Sequence, residues 1–195
     1  MTRTTPAEVP LLVVKVGGGL SALPGALDAV CRAVSDLGRT RRIVVVPGGG
    51  PFADAVRTFE ASHGLSADAA HWMAILAMDQ YANVLAERIA GAKMVEEPGA
   101  IEETIGKAGV VVLAPSRWMR AADVLPHTWQ ATSDSVAAFV AGALDAERLI
   151  LVKPAPESAT TVDPCFRSVL PAGLACTVLP WHRISELAAL PAAAS

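Results

Sequence analysis

Two glycine triplets are the first feature of this sequence that suggests chemistry. The first comprises Gly17, Gly18 and Gly19, and the second comprises Gly48, Gly49 and Gly50. Each follows a short apolar segment, Leu11–Val16 or Arg42–Val46, of the kind that forms a buried strand. Because glycine lacks a Cβ atom, successive N–H groups in such a turn can approach a phosphate and form an anion-binding nest. One triplet is often only a tight turn, but two in this position favour a polyphosphate site.

Lys15 lies at the end of the first apolar segment, which otherwise contains only leucine and valine. A lysine is rarely buried without a partner. Its side chain could simply reach water from an edge, but the neighbouring glycines favour a cation directed at a transferring phosphate. Phosphoryl transfer requires fixed positive charge around the phosphoryl oxygens.

Asp134 and Lys153 are candidates for the same site. Asp134 follows Thr132 and Ser133 at the start of an alanine-rich segment, where those residues could cap a helix and Asp134 could favour its dipole. Its carboxylate could also orient Lys15. Lys153 ends the apolar segment Leu149–Val152 as Lys15 ends the first, so it could supply a second cation.

The order of predicted elements indicates an α/β fold. Further strands are predicted at Val110–Leu113, Leu149–Val152 and Cys176–Leu179, and helices at Pro24–Leu37, from Pro51, at Ser66–Gly91, Ser133–Leu144, Asp163–Leu170 and Ile184–Leu190. Strands that are apolar on both faces require helices on both sides, so we predict a three-layer αβα sandwich with a mostly parallel central sheet. The carboxyl ends of parallel strands share one edge, where such sheets bind ligands.

The composition narrows the class of protein. Hydrophobic residues make up 52% of the 195 residues and charged residues 18%, which allows a large core and argues against disorder. The net charge of -3 does not favour a nucleic-acid partner. The cysteines Cys31, Cys165 and Cys176 are widely spaced, so neither a disulfide framework nor a metal site is expected. No apolar stretch is long enough to span a membrane, and we expect a cytoplasmic protein.

Three segments together resemble the amino acid kinase superfamily: Val14–Gly18, Val46–Gly50 and Thr132–Asp134. This resemblance implies that Lys15 and both glycine loops bind the transferring phosphoryl group, that Asp134 organises Lys15 and Lys153, and that ATP with Mg²⁺ is the donor. It also implies one domain over residues 1–195, with an acceptor-side lobe at about 10–130 and a compact nucleotide-side lobe at about 131–190. Members commonly form homo-oligomers.

Within that superfamily the chain most resembles the short branch that phosphorylates aminomethylfuran methyl phosphate in methanofuran biosynthesis. The supporting segments are Ser66–Tyr81, Trp129 and Leu149–Pro154. The resemblance implies a phosphomonoester acceptor that becomes a diphosphate, bound by Gly50, Asp54, His71 and Trp129. Asp163 is the candidate for the nucleotide side, since Pro154 stands where many members have an Asp-Gly-Val loop.

Two other functions remain open at this point. The first is a non-catalytic nucleotide- or oxyanion-binding or regulatory protein with the same fold, which the altered region after Lys153 favours. The second is a dinucleotide-dependent enzyme, which would carry a Gly-x-Gly-x-x-Gly turn and an acidic residue at the end of the second strand. Here that strand ends in Pro47 and glycines, which disfavours the second function.

Overall fold

A six-stranded parallel sheet forms the centre of the structure, a computed structural model that describes residues 9–106, 108–155 and 162–190. The strands are β1 (Leu11–Val16), β2 (Arg42–Pro47), β3 (Lys93–Val95), β4 (Gly109–Leu113), β5 (Arg148–Lys153) and β6 (Ala175–Pro180). They lie in the order β3-β4-β2-β1-β5-β6, and every neighbouring pair is parallel. The chain leaves β1 toward β2 and leaves β5 toward β6, on the opposite side. The carboxyl ends of β1 and β5 therefore flank the crevice where open α/β sheets bind ligands.

Helices cover both faces of this sheet. They are α1 (Ala26–Gly38), α2 (Gly50–His63), α3 (Ala67–Arg88), α4 (Pro98–Ile105), α5 (Ser116–Ala122), α6 (Ser133–Ala143) and α7 (Phe166–Val169). Two 3-10 segments occupy Gly18–Ala22 and Trp181–Ala189. Side chains of α1 and of the second 3-10 segment pack on one face, and side chains of α4 and α6 pack on the other.

Alternation along the strands divides the core between the two faces. Val13 and Leu151 belong to the apolar cluster under α6, whereas Val14 and Val152 belong to the cluster under α1. Since side chains alternate along a strand, Lys15 lies on the same face as Val13, and Lys153 on the same face as Leu151. Both lysines are thereby directed to the layer that contains α6.

The predicted α/β class and three-layer arrangement are confirmed. Four elements were not predicted: the 3-10 segment Gly18–Ala22, β3, which is short and has only Val95 buried, α4, and α5, whose one buried residue is Met119. The C-terminal helix expected at Ile184–Leu190 is instead the 3-10 segment Trp181–Ala189. All described strands share one sheet, and the division into two lobes stays a prediction. None of the helices in the described ranges has the length and apolar composition needed to cross a bilayer.

Candidate active site

The two glycine loops meet at the carboxyl edge of the sheet. A Cβ atom placed on Gly18 would lie 2.1 Å from the backbone nitrogen of Gly50, so only glycine permits this approach. Gly50 also has φ of +55°, a conformation that glycine adopts without strain. The turn after β1 and the turn that opens α2 therefore form one continuous backbone surface.

The amide groups of the six glycines have different roles. The N–H of Gly17 donates to the carbonyl of Val152 at 3.0 Å, and the N–H of Gly48 donates to the carbonyl of Val16 at 2.8 Å. These two amides extend the sheet. The glycines that line the adjoining cavity are Gly18, Gly19, Gly49 and Gly50. Of the six glycines, these four therefore border the cavity, whereas the amides of Gly17 and Gly48 are already hydrogen-bonded within the sheet.

Lys15, Asp134 and Lys153, the three residues predicted to be catalytic, come together in a buried charge cluster. Lys15 Nζ lies 2.9 Å from Asp134 Oδ1, and Lys153 Nζ lies 2.5 Å from Asp134 Oδ2. The three side chains are 6%, 5% and 9% exposed. The lysines reach Asp134 because they share one face of adjacent strands, and because α6 begins above that face with Asp134 in its first turn.

Burial and charge act in opposite directions on this cluster. Burial lowers the pKa of Lys15 below its ordinary value, and the Asp134 carboxylate limits that decrease. Burial alone would raise the pKa of Asp134, but Lys15 and Lys153 outweigh it and hold that pKa below its ordinary value. Two ammonium groups face the Asp134 carboxylate, and Asp163 is a further carboxylate whose charge acts on Lys15. An anion bound next to Lys15 would be attracted by both ammonium groups when they are ionised.

Asp163 fixes the start of α6. Its Oδ2 accepts hydrogen bonds from the Thr132 N–H at 2.9 Å, the Thr132 hydroxyl at 2.8 Å and the Ser135 N–H at 3.0 Å, and its Oδ1 accepts from the Ser135 hydroxyl. The helix is thus capped by Asp163, and not by the Thr132 or Ser133 side chain considered from the sequence. Both carboxylate oxygens are engaged, so Asp163 supports the helix turn that carries Asp134.

A cavity of about 390 Å³ adjoins the glycine loops, a size typical of small-ligand sites. All four residues predicted to bind the acceptor line it: Gly50, Asp54, His71 and Trp129. Thr132 and Ser133, directly before Asp134, also line it. The structure therefore brings the predicted acceptor residues together and places them beside the lysine–aspartate cluster.

Two functional candidates on α2 were missed from the sequence. The Arg57 guanidinium lies 4.3 Å from the centroid of the Trp129 ring and donates to Asp54 Oδ1 at 2.8 Å. Glu60 Oε2 accepts a hydrogen bond from Trp129 Nε1 at 2.6 Å. The helical spacing of Asp54, Arg57 and Glu60 after Gly50 was a usable signal, because residues three or four apart share one helix face.

His71 takes part in a ring cluster on the wall of the cavity. The rings of His71 and His127 stack with centroids 4.4 Å apart. His127 Nδ1 lies 2.7 Å from Asp68 Oδ1, and His127 Nε2 lies 2.8 Å from Asp123 Oδ1. Hydrogen bonding to Asp123 and Asp68 raises the pKa of His127, whereas burial and the neighbouring His127 lower the pKa of His71. His71 therefore faces the cavity mainly as a neutral ring.

The fold and the site define a class of protein: a three-layer α/β protein with two glycine loops and a buried lysine–aspartate–lysine cluster at the carboxyl edge of its sheet. The chain belongs to the amino acid kinase family, whose sequence model matches residues 10–156. This confirms the resemblance drawn from the motifs.

Comparison with known proteins gives one curated relative and several solved structures. The [5-(aminomethyl)furan-3-yl]methyl phosphate kinase of Methanocaldococcus jannaschii is 31% identical over 143 residues, which are 71% of this chain and 63% of that protein. The chain thus spans less than two thirds of that relative's length.

Two solved kinases share the fold. The uridylate kinase of Archaeoglobus fulgidus matches with a TM-score of 0.57 at 20% identity, over 75% of this chain and 63% of that chain. The UMP kinase of Bacillus anthracis matches with a TM-score of 0.65 at 11% identity, over 93% and 92% of the two chains. At these identities the similarity shows the fold alone.

Proposed function

We propose that this chain is an ATP-dependent phosphotransferase that acts on a small anionic metabolite. We further propose that its acceptor is a furan methyl phosphate, converted to the diphosphate in methanofuran or methylofuran biosynthesis. Membership of the amino acid kinase family supports the first statement. The printed name of the relative from Methanocaldococcus jannaschii supports the second.

The observation that carries the proposal is the Asp134 carboxylate held between two buried lysines beside the glycine loops. In the transition state of its transfer, a phosphoryl group carries negative charge on its equatorial oxygens. Preorganised cations and N–H groups stabilise that charge most effectively where water is excluded. In this proposal Lys15 and Lys153 supply the cations, the loop amides cradle the phosphoryl group, and Asp134 holds both lysines in place.

The proposed step is a direct transfer between two phosphates. An ionised oxygen of the acceptor phosphate forms a bond to the γ-phosphorus of ATP, the bond from that phosphorus to the bridging oxygen breaks, and ADP leaves with the electron pair. The acceptor oxygen carries no proton at neutral pH, so no general base is needed. Asp134, whose pKa is held low by two lysines, is accordingly assigned an orienting role.

Magnesium fits this site as a companion of ATP. No group of three or more potential His, Cys, Asp or Glu ligands occurs among the described residues. Asp134 is engaged by two lysines and Asp163 by Thr132 and Ser135. Mg²⁺ commonly binds through substrate phosphates and water with few protein ligands, and it would neutralise charge on the transferring phosphates.

A turnover assay with several acceptors tests the proposal. ADP release is measured from Mg-ATP with aminomethylfuran methyl phosphate, with UMP and with no acceptor. We expect release that depends on the furan phosphate and exceeds the rate with UMP. Binding of Mg-ATP without turnover of any acceptor would contradict the proposal and favour the non-catalytic nucleotide-binding function.

The oligomeric state and the cellular location are part of the same proposal. We propose a homo-oligomer, which light scattering of the purified protein checks by its molar mass. We also propose a cytoplasmic location, which free cysteines at Cys31, Cys165 and Cys176 support because a reducing compartment preserves thiols. Fractionation of the source cells checks the location.

A further inference from the structure

Carboxylates outnumber cations on the acceptor side of the cavity. Arg57 is the cation of this wall, and it is already paired with Asp54 at 2.8 Å. Glu60, one turn further along α2, has a different environment. Among the described residues its side chain has one hydrogen-bond partner, the neutral Trp129 indole N–H at 2.6 Å, and no ion-pair partner. A half-buried carboxylate therefore lines the ligand cavity, and no lysine or arginine in the described part of the chain forms an ion pair with it.

The other residues that line the cavity do not neutralise the charge of Glu60. His71 is kept neutral by burial and by its neighbour His127. The other cavity residues are mostly apolar or hydroxyl-bearing: Ala53, Ala67, Ala70, Ala74, Ile75, Met78, Thr128, Ala131, Thr132, Ser133 and Val136. Asp54, Arg57 and Glu60 thus sum to one negative charge on the α2 wall, while the glycine loops contribute uncharged backbone to the lining.

We propose that Glu60 binds a primary ammonium group of the acceptor and thereby selects an amine-bearing phosphomonoester over a neutral one. This inference rests on the proposed function for the position of the acceptor phosphate at the glycine loops. The ligand class is a compact molecule with an anionic phosphate at one end and an ammonium at the other. Its ammonium would face the carboxylate of Glu60, and its phosphate would face the glycine loops that line the same cavity.

The placement of Glu60 on α2 suits such a ligand. Helix α2 begins at Gly50, which belongs to the phosphate-binding loops, so Glu60 lies about 15 Å further along the helix axis. Helical side chains tilt toward the N-terminus of their helix, which brings the carboxylate back toward the loops. Trp129 lines the same cavity, and an indole ring suits a flat apolar centre of the ligand.

Trp129 also sets the orientation of the carboxylate. Its indole N–H occupies Oε2 of Glu60, and Arg57 covers its ring at 4.3 Å. The other oxygen, Oε1, has no hydrogen-bond donor within the described ranges, so an ammonium group can donate to it. Glutamine at position 60 can still accept the indole hydrogen bond, so Glu60→Gln removes the charge and keeps the wall.

Equilibrium binding without ATP tests the proposal separately from catalysis. Isothermal titration calorimetry compares aminomethylfuran methyl phosphate with its hydroxymethyl counterpart, in which a neutral hydroxyl replaces the ammonium. The proteins are the wild type, Glu60→Gln, Asp54→Asn and the control Glu103→Gln, which makes the same change on an exposed position of α4. The absence of ATP means that failure of phosphoryl transfer would refute the proposed function without affecting this comparison.

We expect the wild type and Glu103→Gln to bind the amine-bearing phosphate about tenfold or more tightly than the neutral one, a difference of about 1.4 kcal/mol. Glu60→Gln is expected to bind the two with nearly equal affinity, and its affinity for the neutral phosphate should stay close to that of the wild type. Equal affinities in the wild type, including no measurable binding of either, would overturn the proposal. Retention of the preference in Glu60→Gln, or its loss only in Asp54→Asn, would also overturn it.

Discussion

Lys15 and Asp134 form a buried ion pair, with Nζ 2.9 Å from Oδ1, between the end of central strand β1 and the first turn of helix α6. Lys153 contacts the second oxygen of the same carboxylate from the neighbouring strand β5. One carboxylate thus fixes two cations at the edge of the sheet. The stability of this region and the positions of both lysines should therefore depend strongly on Asp134.

Removal of the Asp134 charge should destabilise the fold. In Asp134→Asn two buried ammonium groups lose their anion, and breaking a buried ion pair in this way costs about 3–5 kcal/mol. Urea unfolding followed by circular dichroism measures the free energy of unfolding. The control is Asp36→Asn, because Asp36 is exposed and its Oδ1 lies 3.6 Å from Nη2 of Arg39, which is also exposed. Its effect on the free energy of unfolding should stay within about 0.5 kcal/mol. Equal effects of the two substitutions would contradict the account of the cluster.

A methyl group on Gly18 should force the two glycine loops apart. The added Cβ of Gly18→Ala would lie 2.1 Å from the Gly50 nitrogen, and such overpacking costs about 1–3 kcal/mol. We expect a loss of stability in urea unfolding together with weaker binding of Mg-ATP. Gly99→Ala is the matched control, because its Cβ would meet no atom within 4 Å, and it should be neutral or stabilising. Unchanged nucleotide binding in Gly18→Ala would exclude the loop contact as part of the site.

Loss of the Asp163 carboxylate should weaken the start of α6 and displace Asp134. Removing a helix cap costs about 0.5–2 kcal/mol, and Asp163→Ala also leaves the Thr132 and Ser135 donors without their acceptor. We expect a lower melting temperature and a lower kcat, with Asp163→Asn intermediate because its amide oxygen still accepts. A normal melting temperature combined with lost ATP binding would instead assign Asp163 to direct nucleotide contact, as the sequence resemblance implied.

The contribution of His127 to stability should decrease as the pH rises. Asp123 and Asp68 raise the pKa of His127 in the folded protein. The charged ring therefore stabilises the fold fully below about pH 6.5, the pKa of a histidine in the unfolded chain. It loses that effect as the pH rises through the higher pKa of His127 in the folded protein. The rings of His71 and Trp72 also contact this ring, Arg120 lies over Trp72, and all three residues are unchanged in the variant.

Urea unfolding of the wild type and His127→Gln at pH 6 and pH 9 measures this effect. The difference in unfolding free energy between the two proteins should be larger at pH 6. His71, whose pKa is lowered, acts with the opposite sign but is present in both proteins. A difference that does not change with pH would show that the charge on His127 does not hold Asp68 and Asp123 together.

The lysine cluster could be predicted from sequence because each of its three residues belongs to a short segment with a recognisable pattern. Alternation along two apolar strands puts Lys15 and Lys153 on one face, and a polar turn before an alanine-rich helix supplies Asp134. The four acceptor candidates line one cavity. Their roles in binding stay predictions.

Other parts of the site depend on contacts between distant segments. Asp163 caps the start of α6 by contacts that include the N–H of Ser135, which lies 28 residues earlier in the chain, and no local pattern signals that pairing. The use of the Gly17 and Gly48 amides within the sheet follows from strand register, which single segments do not reveal. Strand β3 was missed because its two exposed residues give it no apolar pattern.

The central claim is that this chain transfers the γ-phosphoryl group of ATP to an acceptor phosphate with the help of Lys15. The most direct measurement is ³¹P NMR of a reaction containing Mg-ATP and aminomethylfuran methyl phosphate, with the wild type, Lys15→Ala and the exposed control Lys93→Ala. We expect the paired phosphorus signals of a new diphosphate with the wild type and Lys93→Ala, and a rate lower by about a hundredfold or more with Lys15→Ala. Diphosphate formation at the same rate in all three proteins would contradict the role of Lys15, and no diphosphate from the wild type would contradict phosphoryl transfer to this acceptor.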